Sequence, residues 1–355
     1  MNFDLDEDQS LFKATVERFA LGGDVPTRLR ARKLPGGLDR SRWAEMAEIG
    51  LIAMGAADGD GGLGASETDC ALVAQALGQG LAMEPWLECA FLPARLLAGS
   101  PHIAGVIDGS VLAAVAFAET GRRYTLDAKS MQAHQTGSGG GATTVLRGEK
   151  TFVLSGGAAD LFIVSANLAG KTVLYAVPRD APGVDIKPYP IVDGSLAATL
   201  ILRDVAVGEP LETSLAESLD AAMIMAIAEL VGLARRLFDD TLAYVKAREQ
   251  FGQPIGRFQV IQHRMVDAYA RTEQMQSALY RVLLVPEKER LAHVNGIKSM
   301  VSDDAIWVAH QAVQLHGGMG TTDDLGIGHG LKRILLLSKL FSDPASGMAA
   351  YSKVA

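Results

Sequence analysis

The chain has 355 residues, of which 48% are hydrophobic and 21% charged, and its formal net charge is −8 at pH 7. This length and apolar content predict a globular protein of two or three packed domains. The negative charge argues against nucleic-acid binding, because neutralising phosphates needs a basic face. No apolar run reaches the ~18 residues that span a bilayer. Cys70 and Cys89 lack metal-type spacing, so we expect two buried free thiols and no metal site. The N-terminus has no signal-peptide pattern, so we expect a cytoplasmic location.

The first part of the chain has the apolar periodicity of helices. The pattern recurs in "DEDQSLFKATVERFA", "SRWAEMAEIGLIAM" and "ETDCALVAQALGQGLAM". The glycine-rich stretch "GAADGDGGLGAS" follows no strand, so we interpret it as a tight turn between helices rather than a phosphate loop. We therefore predict an all-helical domain over residues 1–110.

From residue 111 the apolar period changes to two. Short β-type runs, including "VLAAVAFAE", "TTVLRGEKTFVLSG" and "AATLILRDVAV", are separated by Gly, Pro and Asp. The stretch "TGSGGGATT" (136–144) is typical of a flexible hairpin loop, since no Lys-Ser/Thr follows its glycines. Residues 111–212 are predicted to form a middle antiparallel β-domain, a sandwich or barrel.

Helical periodicity returns after residue 213. Four long segments carry it: "DAAMIMAIAELVGLARRLFDDTLAYVKAR", "RFQVIQHRMVDAYARTEQMQSALYRVLL", "ERLAHVNGIKSMVSDDAIWVAHQAVQLHG" and "GHGLKRILLLSKLF". Short connections between them predict a C-terminal four-helix bundle over residues 213–355. The expected fold class is α+β.

This order of domains resembles the acyl-CoA dehydrogenase family. The motifs that carry the resemblance are "AREQFGQPIGRFQVIQH", "QAVQLHGGMG", "LRGEKTFVLSGGAADLFIVSA" and "GDGGLGAS". The resemblance implies FAD as cofactor and dehydrogenation of an acyl-CoA thioester to a trans-2-enoyl-CoA. It also implies an electron-transfer flavoprotein as electron acceptor, and bundle motifs that hold the ADP half of a neighbouring subunit's FAD.

The resemblance gives a role to the polar turn after the first bundle helix. FAD carries a pyrophosphate, and Arg248 offers a permanently charged fork that matches phosphate oxygens. Phe251 would supply an apolar wall, and Gln259, at the start of the next helix, an amide. A second segment would approach the same diphosphate, because glycine allows close backbone contact; its residues are Gln314, His316, Gly317 and Gly318.

The family's catalytic glutamate is missing from both places where its members carry it. One position lies about 23 residues after the second glycine of the Gly-Gly pair and is Phe341 here. The other lies 26 residues before the arginine of the turn and is Ala222. Asp220 and Asp343 are the nearest carboxylates, although Asp343 precedes a proline and a helix-terminus role is the simpler interpretation. No catalytic residue is therefore assigned to this chain.

The flavin-side motifs also depart from the family pattern. Ala118 replaces the usual hydroxyl residue, and Tyr124-Thr125 replaces Ser-Asp. Phe152-Val153-Leu154 replaces Trp-Ile-Thr, and the Leu154 side chain cannot donate the hydrogen bond that the threonine would. Glu119 remains and is interpreted as structural.

The chain keeps the two motifs that would hold the ADP half of FAD, here called the clamp, but has no glutamate at either base position. In this respect it resembles the small subunits of heteromeric acyl-CoA dehydrogenases, of the pimeloyl-CoA dehydrogenase type. The partner would be a large catalytic subunit. Two alternatives stay open: a self-sufficient homo-oligomer whose base is Asp220 or Asp343, and a non-catalytic scaffold that binds acyl-CoA or a protein.

Overall fold

A computed structural model describes residues 5–21, 25–136, 143–285 and 287–353. Most of the predicted hairpin loop at 136–144 lies outside these described residues. The chain folds into two compact units. The helical unit contains the residues up to Leu29, Ser66–Met83 and the residues from Met223 onward; the sheet unit contains Arg30–Ala65 and Glu84–Ala222. Within the described ranges, no helix is both long and apolar enough to cross a membrane.

Eleven α-helices are numbered along the described chain. They are α1 (Glu7–Leu21), α2 (Val25–Ala31), α3 (Arg40–Glu48), α4 (Glu67–Gln79), α5 (Leu92–Leu96), α6 (Ile103–Ile107), α7 (Leu215–Ala247), α8 (Gln259–Leu284), α9 (Glu287–His316), α10 (Gly326–Leu337) and α11 (Pro344–Tyr351). The four predicted C-terminal helices correspond to α7–α10, so the predicted helical C-terminal domain is confirmed. The short helix α11 was not predicted.

Local sequence explains where several helices begin. Ser66 and Asp69 form a capping box at the start of α4, in which each side chain bonds to the backbone N–H of the other residue. The Asp343 carboxylate accepts a hydrogen bond from the Ser346 N–H at 2.7 Å and caps α11. These side chains satisfy N–H groups that the first helical turn leaves without partners.

Glycines allow α4 and α7 to pack closely within the helical unit. A Cβ added to Gly232 would lie 2.0 Å from the Gln75 carbonyl oxygen, and one on Gly78 would lie 2.4 Å from the Glu229 carbonyl oxygen. The side chain of Glu229 meets Arg333 of α10 through two hydrogen bonds of 2.7 and 3.1 Å. Glu229 is therefore a helix-packing residue.

The sheet unit contains seven strands in one sheet. They are β1 (Ala113–Ala116), β2 (Gln132–Thr136), β3 (Thr143–Leu154), β4 (Leu161–Leu168), β5 (Lys171–Pro178), β6 (Val184–Pro190) and β7 (Leu196–Val207). The strand order is β1-β4-β2-β3-β7-β6, and β5 pairs with β4.

The pairing of these strands is mixed rather than purely antiparallel. Four pairs are antiparallel as predicted: β2–β3, β3–β7, β4–β5 and β6–β7. However, β4 runs parallel to β1, and it also meets β2 in parallel at Gln132–Asn167. An alternating apolar pattern identifies strands but does not specify the direction of a distant partner, which explains the difference.

The core of the sheet unit is apolar and close-packed. Phe162, Tyr175 and Leu200 are fully buried members of one cluster. Five consecutive residues before α5, Leu87–Phe91, form a buried π-helical turn. The core cluster is built mainly from residues of strands β1–β5 and β7.

Candidate functional site

The turn after α7 is a tight β-hairpin. Its strands are β8 (Glu249–Gln250) and β9 (Gln253–Pro254), and the Ile255 N–H donates to the Arg248 carbonyl at 2.8 Å. Phe251 and Gly252 form the two-residue tip, with φ of 55° and 80°. Positive φ at both positions is typical of the primed turns that close two-residue hairpins. This strained phenylalanine was not foreseen from the sequence.

The predicted clamp residues of this hairpin face solvent. Arg248 is exposed, Phe251 is 91% exposed, and Phe258 lies beside Phe251 with an edge-to-face ring contact of 6.2 Å. Gln259 is also exposed and is the first residue of α8, as predicted. The guanidinium and the amide are therefore accessible to a ligand from outside this chain.

The second predicted segment begins at the end of α9. Gln314 is exposed, and Gly317, with φ of 61°, ends the helix. A Cβ added to Gly317 or Gly318 would meet no atom within 4 Å. At Gly320, by contrast, a Cβ would lie 2.8 Å from the Val313 carbonyl oxygen. The first two glycines thus leave open space beside the backbone, whereas the third is needed for packing.

A ring contact joins the two segments. The imidazole of His316 stacks on Tyr244 of α7, with ring centroids 4.2 Å apart and an interplanar angle of 24°. The Nδ1–H of His316 donates to the Ala312 carbonyl at 2.8 Å, and the residue is buried. Tyr244 precedes Arg248 by one helical turn, so the contact brings the hairpin and the Gly-Gly segment together. His316 acts here through packing; the sequence did not identify Tyr244.

Neither base position carries a proton acceptor. Ala222 lies on α7 and is fully buried. Phe341 is half-buried at φ 65°, in a turn where the Ser342 N–H donates to the Leu340 carbonyl at 2.8 Å. The ammonium group of the buried Lys298 supports this turn by donating to the Leu337 carbonyl at 2.8 Å. The turn at this position is therefore ordered by backbone contacts and presents an aromatic ring.

The two alternative carboxylates differ in their surroundings. Asp343 is buried and its carboxylate caps α11, which confirms a helix-terminus role. Asp220 is half-buried on α7; burial, with a smaller effect from the Glu217 carboxylate, raises its pKa to about 6. The raised pKa of Asp220 suits a general base near neutral pH.

The flavin-side loop of the sheet unit is organised around Glu119. Its buried carboxylate accepts hydrogen bonds from the backbone N–H groups of Lys129, Ser130 and Met131 and from the Lys150 ammonium at 2.8 Å. Burial alone would raise the pKa of this carboxyl, but these hydrogen bonds outweigh it and lower the pKa to about 2. Glu119 is therefore charged at neutral pH and anchors the loop, in line with its interpretation as a structural residue.

The positions that face the flavin in the family pattern are apolar or strained here. Leu154 offers no hydrogen-bond donor from its side chain. Phe152 has φ of 53° and its N–H donates to the Tyr189 hydroxyl at 3.0 Å. Within the described residues, no group of three or more His, Cys, Asp or Glu side chains could hold a metal ion.

Comparison with known proteins identifies the family. Sequence models of the acyl-CoA dehydrogenase N-terminal and C-terminal domains match residues 6–91 and 213–340. These matches cover more than half of the chain, which belongs to the acyl-CoA dehydrogenase family, a family of FAD-dependent oxidoreductases.

Individual relatives share most of the chain. The probable acyl-CoA dehydrogenase YngJ of Bacillus subtilis (strain 168) is 28% identical and is matched over 92% of each chain. The acyl-CoA dehydrogenase IpdE2 of Mycolicibacterium smegmatis is 28% identical over 90% of this chain and 89% of its own. In the solved ChsE4–ChsE5 complex from Mycobacterium tuberculosis, a chain with 23% identity superposes with a TM-score of 0.85 over 99% of this chain and 98% of that one. The predicted fold is therefore confirmed.

The residues present fit one half of FAD better than the other. Arg248 is an exposed guanidinium, and the open backbone at Gly317 and Gly318 leaves room for a diphosphate to approach closely. At the flavin-side positions, Leu154 lacks the donor of the family's threonine. An exposed guanidinium and an open backbone suit a diphosphate, whereas the Leu154 side chain has no donor with which to orient an isoalloxazine ring.

Proposed function

We propose that this chain is the subunit of a heteromeric acyl-CoA dehydrogenase that clamps the ADP half of FAD and lacks the catalytic glutamate. The assembled enzyme would convert an acyl-CoA to its trans-2-enoyl-CoA and pass electrons to an electron-transfer flavoprotein. The observation that carries the proposal is the exposed hairpin and Gly-Gly segment, joined by the His316–Tyr244 stack, in a chain with Ala222 and Phe341 at the base positions.

Each retained residue has a physical role in this proposal. Arg248 binds phosphate oxygens through charge-assisted hydrogen bonds, and Gln259 and Gln314 offer amides to ribose or phosphate. Gly317 and Gly318 keep the backbone accessible. FAD, when bound, supplies the acceptor for the substrate's β-hydride. The α-proton must go to a carboxylate of the large subunit, because a buried alanine and a phenylalanine cannot accept it.

The surface around the clamp supports a protein partner. Near Phe251, helix α8 exposes Val260, Val266 and Tyr269, which are 63%, 64% and 51% accessible. Exposed apolar side chains on one helix are typical of a surface that another chain covers. The ChsE4–ChsE5 complex, which shares the fold, contains two differently named chains. The first observation favours a protein partner, and the second favours an unlike family member as that partner.

The test measures flavin content of this chain, purified alone and co-expressed with a large acyl-CoA dehydrogenase subunit. Absorbance near 450 nm and mass in solution give FAD per chain. We expect a colourless single chain and one FAD per pair of unlike chains. Arg248→Gln should weaken FAD binding in the complex by about 10–100-fold, the loss of a charge-assisted pair. The matched control is Arg257→Gln, which removes an exposed arginine nine residues away. One FAD per chain in a homo-oligomer with normal turnover would contradict the proposal.

A second candidate is a self-sufficient homo-oligomeric dehydrogenase with Asp220 as base. The raised pKa of Asp220, about 6, favours it. Asp220→Asn should then lower kcat by about 100-fold or more in an enzyme that already turns over alone. An unchanged kcat would remove this candidate. A chain that stays colourless even with every partner would instead favour the non-catalytic scaffold.

A further inference from the structure

A recess of about 510 Å³ lies in the sheet unit beside strand β5, and it contains none of the proposed clamp residues. Three segments of the unit line it: the turn between α5 and α6, strand β5, and the linker (208–214) that joins β7 to α7. The lining residues are 98–102, Ala176 and 208–212. This volume falls within the range of about 300–1,000 Å³ that is usual for ligand pockets.

The linker covers the backbone edge of β5 only in part. Leu174 and Leu211 form one isolated antiparallel bridge, in which the Leu211 N–H donates to the Leu174 carbonyl at 2.8 Å. Residues two apart on a strand direct their backbone groups to the same edge, so the N–H and C=O of Ala176 also point to the linker side. Continued pairing would give Ala176 the partner Glu209, but within the ranges that the structure describes these two residues share no backbone hydrogen bond. The edge of β5 is therefore open at Ala176.

The sequence of the linker explains why the pairing stops after one bridge. Pro210 has no backbone N–H to donate, which removes one hydrogen bond of a continued ladder. A Cβ added to Gly208 would meet no atom within 4 Å, so the linker backbone does not pack closely there. An open strand edge is a template on which another extended chain can pair, and peptides are commonly bound in this way.

The charge on the wall of the recess indicates which kind of chain fits. Glu209 and Glu212 are exposed, and no cation of the described chain forms an ion pair with either carboxylate. The α5–α6 turn contributes Ser100 and the exposed imidazole of His102. Complementary charge selects partners and fixes their register, so the two carboxylates favour a segment with a Lys or Arg side chain.

We propose that this recess binds an extended, basic segment of a partner protein, which pairs with the edge of β5 at Ala176. One residue of the segment would exchange N–H···O=C bonds with Ala176, in the place that the linker leaves open. Its basic side chain would pair with the carboxylate of Glu209 or Glu212. The site involves neither FAD nor the clamp, so its test is separate from that of the proposed function.

Fluorescence anisotropy of the full chain with a labelled peptide tests the site. The probe has six residues, alternating threonine and valine around one lysine, and we expect millimolar or tighter binding. Glu209→Gln and Glu212→Gln should each weaken this binding about two- to fivefold, the loss of an exposed ion pair. Neither substitution should change the binding of a second peptide in which glutamine replaces the lysine. N-methylation of the peptide backbone removes the N–H donors of the probe and should weaken binding about tenfold or more.

Glu149→Gln is the matched control, since Glu149 is an exposed glutamate on β3 of the same unit and does not line the recess. Equal losses from the control and the recess substitutions would overturn the proposal by showing only general charge attraction. So would no binding of the lysine peptide, undiminished binding of the N-methylated peptide, or equally tight binding of butylamine, which has the charge but no backbone. Self-association of the chain that Glu209→Gln weakens, without peptide binding, would assign the recess to a second copy instead. The N-methylated probe requires no change to the protein, so this comparison holds even if a variant fails to fold.

Discussion

Single-methyl substitutions in the Gly-Gly segment should separate ligand binding from folding. In Gly318→Ala the new methyl group meets no atom within 4 Å, and φ at Gly318 is outside the left-handed region. The free energy of unfolding should therefore stay the same or rise by up to about 1 kcal/mol, because alanine restricts the unfolded chain. In Gly320→Ala the same methyl would lie 2.8 Å from the Val313 carbonyl oxygen. That overlap should cost about 1–3 kcal/mol.

The two substitutions should have different effects on cofactor binding. Gly318→Ala fills the space into which the diphosphate is proposed to fit, so FAD binding in the assembled enzyme should weaken by about tenfold or more. Gly320→Ala should leave the FAD affinity of the folded fraction unchanged. Urea denaturation of the chain and flavin titration of the complex measure the two effects. The reasoning is refuted if Gly318→Ala destabilises the chain as much as Gly320→Ala, or if it leaves FAD affinity unaltered.

Three further substitutions test the charged groups. Burial, with a smaller effect of Lys339, lowers the pKa of Lys298 to about 7 from 10.5, so the unfolded state binds more protons between these values. The free energy of unfolding should then rise with pH across that window by up to about 1.4 kcal/mol per pH unit. Urea denaturation at pH 7 and 9 should show a smaller increase in the free energy of unfolding for Lys298→Met than for the unaltered chain. The depressed pKa of Glu119 implies stability that is present above pH ~4.5 and lost as pH falls toward 2. Glu119→Gln should lower the free energy of unfolding by about 3–5 kcal/mol at pH 7 and remove that acid dependence. Acid titration monitored by circular dichroism measures the effect, and equal acid sensitivity of the variant and the unaltered chain would contradict the assignment. Asp343→Ala should cost about 1 kcal/mol through loss of the α11 cap, without changing kcat of the complex, whereas a large fall in kcat would make Asp343 a base after all.

Helices and the clamp turn could be predicted from sequence because their signals are local. Periodicity located α7–α10, and α8 begins at Gln259 as expected. Helix α11 escaped detection because "PASGMAAY" has little apolar periodicity; its Asp343 cap and the close approach of Gly347 to Ser299 on α9 stabilise it instead. The parallel contact of β1 with β4 depends on residues almost 50 positions apart.

The site shows the same division between local and distant information. Motif spacing indicated Arg248 and the Gly-Gly pair, but the stacking of His316 on Tyr244 depends on how α7 and α9 pack. The hydrogen bonds that surround the Glu119 carboxylate likewise depend on how the loop brings Lys129, Ser130 and Met131 to it. A sequence motif gives residue identity, whereas hydrogen-bond saturation requires the folded loop.

Phe251 in the hairpin and Phe341 at the base position both have left-handed backbone conformations, but they differ in what stabilises them. A left-handed non-glycine residue costs about 1–2 kcal/mol. At Phe341, hydrogen bonds within the chain hold the turn, including those of Ser342 and Lys298. Phe251 has the same strain but is 91% exposed, so it also forgoes the roughly 2 kcal/mol that burying its ring would contribute. Only Phe258 lies within ring-contact distance of it among the described residues. A second molecule that covers this ring would offset that cost, which is the arrangement that the proposed cofactor clamp across a subunit interface requires.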